Sequence, residues 1–282
     1  MAARAAGIPD RRNVPWPVRD DGAMPARRSL LIGVGSAVAL VLLVLAAFRL
    51  VADDRPTARA DQASPGPVLL VPGYGGSRAS LAPLAERLTA DGRRATVLTL
   101  PDGGTGDLLR QAAVLDEAVR RELGDGAPSV DVVGFSAGGV VARIWIDRYE
   151  GEVVARRVVS LGSPLHGTRL AAAGAAFARD ECPTACRQLA TGSDLLDELA
   201  DAPLPERLPW LSVWTEDDRT VQPPDSARLD GAVNVALQDL CPGARVAHGE
   251  LPGNPLVVAL VMRALGPAAL TAPAGCPAPA GG

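Results

Sequence analysis

The chain has 282 residues, 48% hydrophobic and 21% charged, with a net charge of -4. That balance suits a globular enzyme with one appendage, and the absence of a basic patch with interleaved aromatics argues against a nucleic-acid partner. Every basic residue is arginine, which reads as genome composition bias, and aromatics are only 3%, so the core must be built from Leu, Val and Ala.

The appendage comes first. Residues 1–28 are expected to be a cytoplasmic tail, and 29–50 a transmembrane signal-anchor or signal-peptide segment. Leu30 to Phe48 carries no charge and approaches the roughly 20 residues that cross a bilayer as a helix. Arginines at 4, 11, 12, 19, 27 and 28 precede it, which orients the N-terminus inward and the rest of the chain outward. The apolar core exceeds the usual signal-peptide length of about 7–15 residues, which favours an anchor. A start at Met24 would shorten the basic region and favour cleavage. The expected location is therefore the cell membrane, single-pass with the body outside, or secreted if the segment is removed. Residues 51–67 read as a linker, being Pro, Ala, Ser, Asp and Arg without periodicity.

A folded domain is expected over 68–266. Val68 to Val71 is a short apolar strand, followed by Pro72-Gly73-Tyr74-Gly75-Gly76. Those glycines either make a plain turn or bring backbone N–H groups close to a developing negative charge. Ser80 to Ala90 has helical spacing, Ala95 to Leu100 reads as a strand, and Leu108 to Leu123 as a helix. Val130 to Val133 is the next strand. It runs into Gly134-Phe135-Ser136-Ala137-Gly138, and a helical run follows from Val140 to Tyr149. A serine between glycines, after a strand and before a helix, is the context a nucleophile elbow needs, with the hydroxyl exposed on a sharp turn; the alternative is a glycine-rich loop between two buried elements.

Val158 to Leu161 is another strand, leading into Leu161-Gly162-Ser163-Pro164-Leu165-His166-Gly167-Thr168. Two helices and a local cysteine pair are expected within a cap at about 169–205. Leu211 to Trp214 is a late strand, followed by the acidic turn Glu216-Asp217-Asp218. Ala247-His248-Gly249 precedes a last helix, Leu256 to Leu265, and 267–282 is a Pro/Ala/Gly-rich tail. Short apolar strands alternating with helices predict an α/β fold, a mostly parallel sheet with helices on both faces. Active sites of such sheets lie at the carboxyl ends of the strands, where Ser136 falls.

An even set of cysteines, Cys182, Cys186, Cys241 and Cys276, points to disulfides in an oxidising compartment. Cys182 and Cys186 would close a small loop, and Cys241 and Cys276 would tie the tail to the body. Zinc is the competing reading, but no histidine neighbours any of these cysteines.

Taken in order, VPGYGG, GFSAGG, LGSPLHGT and a late acid and histidine resemble the α/β-hydrolase superfamily, in particular bacterial secreted lipases and esterases. The resemblance spans about Val68 to Leu265. It implies an α/β-hydrolase fold with a small cap and a serine hydrolase cleaving carboxylic esters, with lipid or acyl esters as substrate. It implies Ser136 as nucleophile, Asp218 as acid (Asp218-Arg219-Thr220-Val221 matches D-x-x-V) and His248 as base. Chain order serine, acid, histidine excludes His166 as the base, and Asp217 is the rival acid. The implied oxyanion hole is the backbone N–H of Tyr74 and of Ala137, with Gly73, Gly134 and Gly138 shaping the loops. No metal or cofactor is implied. Pro72 stands where many lipases carry histidine, a departure that bears on specificity more than on catalysis. A cell-envelope acyltransferase with the same triad, and a non-catalytic exported binding protein on this scaffold, are the alternatives.

Overall fold

The computed structural model describes residues 60–278. The tail 1–28, the apolar segment 29–50 and the linker through residue 59 lie outside the described residues. Among those described, no helix is long and apolar enough to cross a membrane.

Among the described residues, one sheet contains β1 (Val68–Val71), β2 (Ala95–Val97), β3 (Val130–Phe135), β4 (Ala155–Leu161), β5 (Trp210–Trp214) and β6 (Val233–Ala236). The order is β2-β1-β3-β4-β5-β6 and every pairing is parallel. Strands β1, β3, β4 and β5 are buried along their whole length, as expected when helices cover both faces. Alternation sends Val68 and Leu70 to one hydrophobic cluster and Leu69 and Val71 to the other. On the first face lie α1 (Ala82–Ala90) and α8 (Pro255–Ala264); on the second lie α2 (Leu108–Gly124) and α3 (Ala137–Arg148). Caps fix the starts of two of these. The Asp107 carboxylate accepts from the Leu109 N–H at 3.0 Å, and the Asn254 side chain from the Leu256 N–H at 3.0 Å.

Several boundaries differ from expectation. β2 stops at Val97, because Pro101 opens a 3-10 turn over Pro101–Gly104. β4 starts at Ala155 and includes Arg156 and Arg157, both buried. β6 lacked an apolar run long enough to predict it. Its Asn234 turns back to bond Leu229 O at 2.8 Å, satisfying a polar edge residue locally. It is followed by the short α7 (Leu237–Leu240).

The expected cap contains three helices rather than two: α4 (Arg169–Phe177), α5 (Thr184–Gln188) and α6 (Asp194–Asp201). Cys182, just before α5, is bonded to Cys186 within it. The buried Arg143 of α3 donates to Leu199 O at 3.2 Å and to Ala202 O, holding the end of α6. Burial lowers the pKa of this guanidinium, and the Asp147 charge opposes that shift.

The amino edge of the sheet is held by charge. Asp131, fully buried, accepts from Arg156 at 2.6 Å and from Arg93 at 2.5 Å. Arg156 and Arg157 also donate to Leu265 O and Ala264 O, each at 2.6 Å, so cations meet the carbonyl end of α8. The segment before β1 joins this edge: Gly66 and Pro67 are buried, and the Ala60 N–H donates to Val153 O at 2.9 Å. Beyond α8 the chain is irregular, yet Ala268 O accepts from Arg157 at 2.7 Å and Cys276 is bonded to Cys241.

Candidate active site

The sheet order reverses between β1 and β3, and the loops that leave these two strands meet at the resulting crevice. The turn after β3 carries Ser136 at φ 53°, ψ -124°, a conformation a non-glycine residue holds only when its surroundings enforce it. The enforcement is visible. The Ser136 N–H donates to Leu161 O at 2.8 Å, and its carbonyl accepts from the Gly139 N–H at 3.0 Å. A Cβ on Gly134 would come within 2.5 Å of Gly138 C, and one on Gly138 would collide with Val71 O. The α3 start therefore lies directly at Ala137, three residues earlier than the sequence pattern suggested.

The 3-10 turn His248–Glu250 brings the histidine over this serine. His248 Nε2 lies 3.0 Å from Ser136 Oγ, and its Nδ1 lies 2.6 Å from Asp218 Oδ2. The other Asp218 oxygen accepts from the Thr220 and Val221 N–H groups, both at 2.8 Å. Asp218 is 1% exposed, so these bonds and not water satisfy its carboxylate oxygens. The Phe135 ring packs 5.1 Å from the imidazole, and Gly162 backs it: a Cβ there would fall 3.1 Å from Nδ1.

The acid and histidine loops are tied to each other and to the preceding motif. Thr215 donates to Val246 O at 2.8 Å, joining the end of β5 to the approach to His248. The Thr168 hydroxyl donates to Thr220 O at 2.9 Å and accepts from the Gln222 N–H at 3.1 Å. Gln222 in turn donates its side-chain amide to Asp218 O. Glu250 accepts from the Ala247 N–H at 2.7 Å, closing the histidine turn. Thr168 and Gly162 belong to the LGSPLHGT stretch and were within reach of sequence reasoning. Thr215 and Gln222 carry no local signal.

The second histidine and the rival acid are elsewhere. His166 is exposed and its Nε2 lies 3.1 Å from Arg228 O. Asp217 is exposed, and its carboxylate is 3.4 Å from the Gln238 amide rather than beside an imidazole. Ser212 is buried in β5, donating to Ala227 O at 2.5 Å and accepting from Ser160 at 3.1 Å.

Gly73, the residue before Tyr74, lies so close to the serine that a Cβ on it would sit 2.9 Å from Ser136 Cβ. Ala137 opens α3, so its N–H is one of the donors a helix start leaves free. Tyr74 itself is 45% exposed at the rim. Among the described residues, no group of three or more His, Cys, Asp or Glu side chains converges as a metal would require. The arrangement can do nucleophilic acyl chemistry: a hydroxyl, a base in contact with it, an anion orienting the base, and N–H groups at a helix start.

No protein-family model matches the chain, and no curated protein matches it in sequence. Solved structures do resemble it. Aspergillus fumigatus lipase B aligns at 20% identity and TM-score 0.61, over 74% of this chain and 55% of that one. The mature Bacillus licheniformis lipase BlEst2 aligns at 20% identity and TM-score 0.52, over 64% of this chain and 86% of that one. The lin2722 product of Listeria innocua aligns at 16% identity and TM-score 0.53, over 72% and 94%. This chain thus spans about half the length of the Aspergillus enzyme. At these identities the likeness shows the fold, that of the α/β-hydrolases.

Proposed function

We propose that the chain is a serine hydrolase that cleaves carboxylic esters through an acyl-serine intermediate. One observation carries the reading: an unbroken Asp218–His248–Ser136 relay, at 2.6 and 3.0 Å, ending on a serine at positive φ. In this reading Ser136 Oγ attacks the ester carbonyl while His248 Nε2 takes its proton. Asp218 holds the ring by Nδ1 and stabilises the imidazolium that forms. The tetrahedral oxygen is received by the N–H groups of Ala137 and Tyr74, of which one donor contributes about 3–4 kcal/mol to the transition state. The alcohol leaves with the proton from His248. Water, activated by the same imidazole, then releases the acid.

Acyl or lipid esters are the proposed substrates. Supporting this, the Aspergillus and Bacillus structures are named lipases, and the cap carries apolar side chains at its surface, Phe177 91% and Leu170 62% exposed. The two disulfides and the arginine-flanked apolar segment support a protein exported from the cytoplasm and held at, or released from, the cell membrane. A panel of p-nitrophenyl esters from short to long acyl chains tests the function. Hydrolysis of at least some members is expected. A folded protein that cleaves none would remove ester hydrolysis as the reading.

A further inference from the structure

The turn that carries Tyr74 is held from two sides. The Gly76 N–H donates to Gly73 O at 3.0 Å, closing a turn in which Tyr74 is second and Gly75, at φ 85°, is third. On one side Gly73 lies against Ser136. On the other, the Pro101–Gly104 turn after β2 meets it backbone to backbone. A Cβ on Gly104 would fall 2.5 Å from Gly76 N and 2.7 Å from Gly76 Cα, and one on Gly76 would fall 2.8 Å from Gly103 O. Asp102, Gly103 and Gly104 are all at positive φ, 52°, 59° and 73°. That run of left-handed backbone costs free energy at Asp102, the one residue of the three with a Cβ, and it brings the Gly103–Gly104 peptide against Gly76.

The far end of the same segment is fastened to the cap. The Ala185 N–H of α5 donates to Thr105 O at 3.1 Å. Gln188, the last residue of α5, bonds twice: its Oε1 accepts from the Leu108 N–H at 2.8 Å, and its amide donates to Asp107 Oδ1 at 2.7 Å. That Asp107 oxygen also caps α2. Between the two ends there is little slack, because Thr105 donates both its hydroxyl, at 2.8 Å, and its N–H, at 3.2 Å, to Asp102 O.

We infer that the segment from Pro101 to Leu108 is a strut that positions the Tyr74 N–H for the oxyanion. Gly104 is its contact on the turn and Gln188 its anchor in the cap; both are positioning residues that act through the Gly73–Gly76 turn. The assignment rests on the ester-hydrolase reading, with the Tyr74 N–H as one oxyanion donor. The physical need is plain. A turn that is glycine at three of its four positions has little side-chain restraint of its own, so its place is set by what it packs on. The two donors differ in this respect: Ala137 opens α3 and is fixed by the elbow, whereas Tyr74 depends on the strut. A donor displaced by about 1 Å loses much of its hold on the developing charge, and such a shift costs on the order of 10² in rate.

The test measures kcat/KM on the full chain for p-nitrophenyl butyrate and for its thiono analogue, in which sulfur replaces the carbonyl oxygen. Each value is divided by the rate of the same ester with hydroxide. The two esters share acyl chain and leaving group and differ only in the atom the N–H groups receive. Sulfur is larger and accepts hydrogen bonds weakly, so donors aimed at an oxygen stabilise it less. Wild type is expected to prefer the oxygen ester by about a hundredfold or more. The preference is expected to fall about tenfold in Gly104→Ala and about threefold or more in Gln188→Ala. Because both esters are read on one preparation, a partly misfolded variant lowers both rates together and leaves the preference intact. A preference that stays at the wild-type value in Gly104→Ala overturns the strut, and one that stays there only in Gln188→Ala overturns its anchoring in the cap. Should Gly104→Ala not fold, Gln188→Ala, changed at a partly exposed position, decides alone. A wild type that cleaves the oxygen ester without preferring it removes the donor assignment and the strut together, and leaves the hydrolase reading standing. If neither ester is cleaved, the hydrolase reading itself falls.

Discussion

Two histidines and two adjacent aspartates compete for two roles, and geometry separates them by single contacts. His248 touches both Ser136 and Asp218, whereas His166 touches a backbone carbonyl at the surface. Asp218 spends its second oxygen on two backbone N–H groups, which fixes the carboxylate before the imidazole arrives. Asp217, one residue earlier, points to Gln238. Removing the nucleophile or base of such a unit costs on the order of 10⁶ in turnover, and removing the acid on the order of 10⁴. Initial rates on a p-nitrophenyl ester should therefore fall by those amounts in Ser136→Ala, His248→Ala and Asp218→Ala. His166→Ala and Asp217→Ala should retain activity within about tenfold of wild type. An inactive, folded Asp217→Ala beside an active Asp218→Ala would reverse the acid assignment.

At the level of elements, the site depends on how loops leaving different strands are joined. Thr168 is the joint between the loop after β4 and the acid loop after β5, through one donated and one accepted bond. Thr168→Val keeps the shape and deletes both, leaving the Gln222 N–H without that acceptor. Loss of a bond of this kind costs about 1–3 kcal/mol when a buried partner is stranded. A lower unfolding midpoint and a fall in kcat are expected, since the loop that carries the acid is displaced. Equal kcat and midpoint in the variant would show that the joint is idle. This joint also marks the limit of what the sequence could say. The strand–turn–helix around Ser136 and the parallel sheet were legible because each is written in a local run: an apolar strand, a glycine pair, a periodic helix; the order serine–acid–histidine came only from the resemblance to the α/β-hydrolases. β6 was not, because Val233-Asn234-Val235-Ala236 is short and includes an amide that folds back on its own loop. α5 was not, because five residues after Pro183 give no helical period to read. Thr215 bonds Val246 and the Gln222 N–H bonds Thr168, partners far along the chain that no pattern near them records.

Across the whole molecule, the catalytic edge and the opposite edge of the sheet are built differently. The catalytic edge holds strained backbone and polar loops. The amino edge holds buried Asp131 between two arginines, with the carbonyl end of α8 and the segment before β1 drawn in around it. The tail beyond α8 is then fixed by the Cys241–Cys276 bond, which spans 35 residues that include the histidine turn and α8. A disulfide closing a loop of this size contributes about 2–4 kcal/mol. Cys276→Ala should lower the denaturant midpoint accordingly in chemical unfolding, with the triad contacts unchanged. An unchanged midpoint would mean that the tail contributes nothing to the stability of the histidine loop.

The central claim is that Ser136, activated by His248, is the nucleophile. A fluorophosphonate that bonds only to an activated serine tests it directly, read by peptide mass spectrometry of the labelled, folded protein. The account predicts one adduct, on the peptide containing Gly134-Phe135-Ser136-Ala137-Gly138, and no adduct in His248→Ala. Labelling at another serine, such as Ser212, or unchanged labelling of Ser136 in His248→Ala, would contradict it.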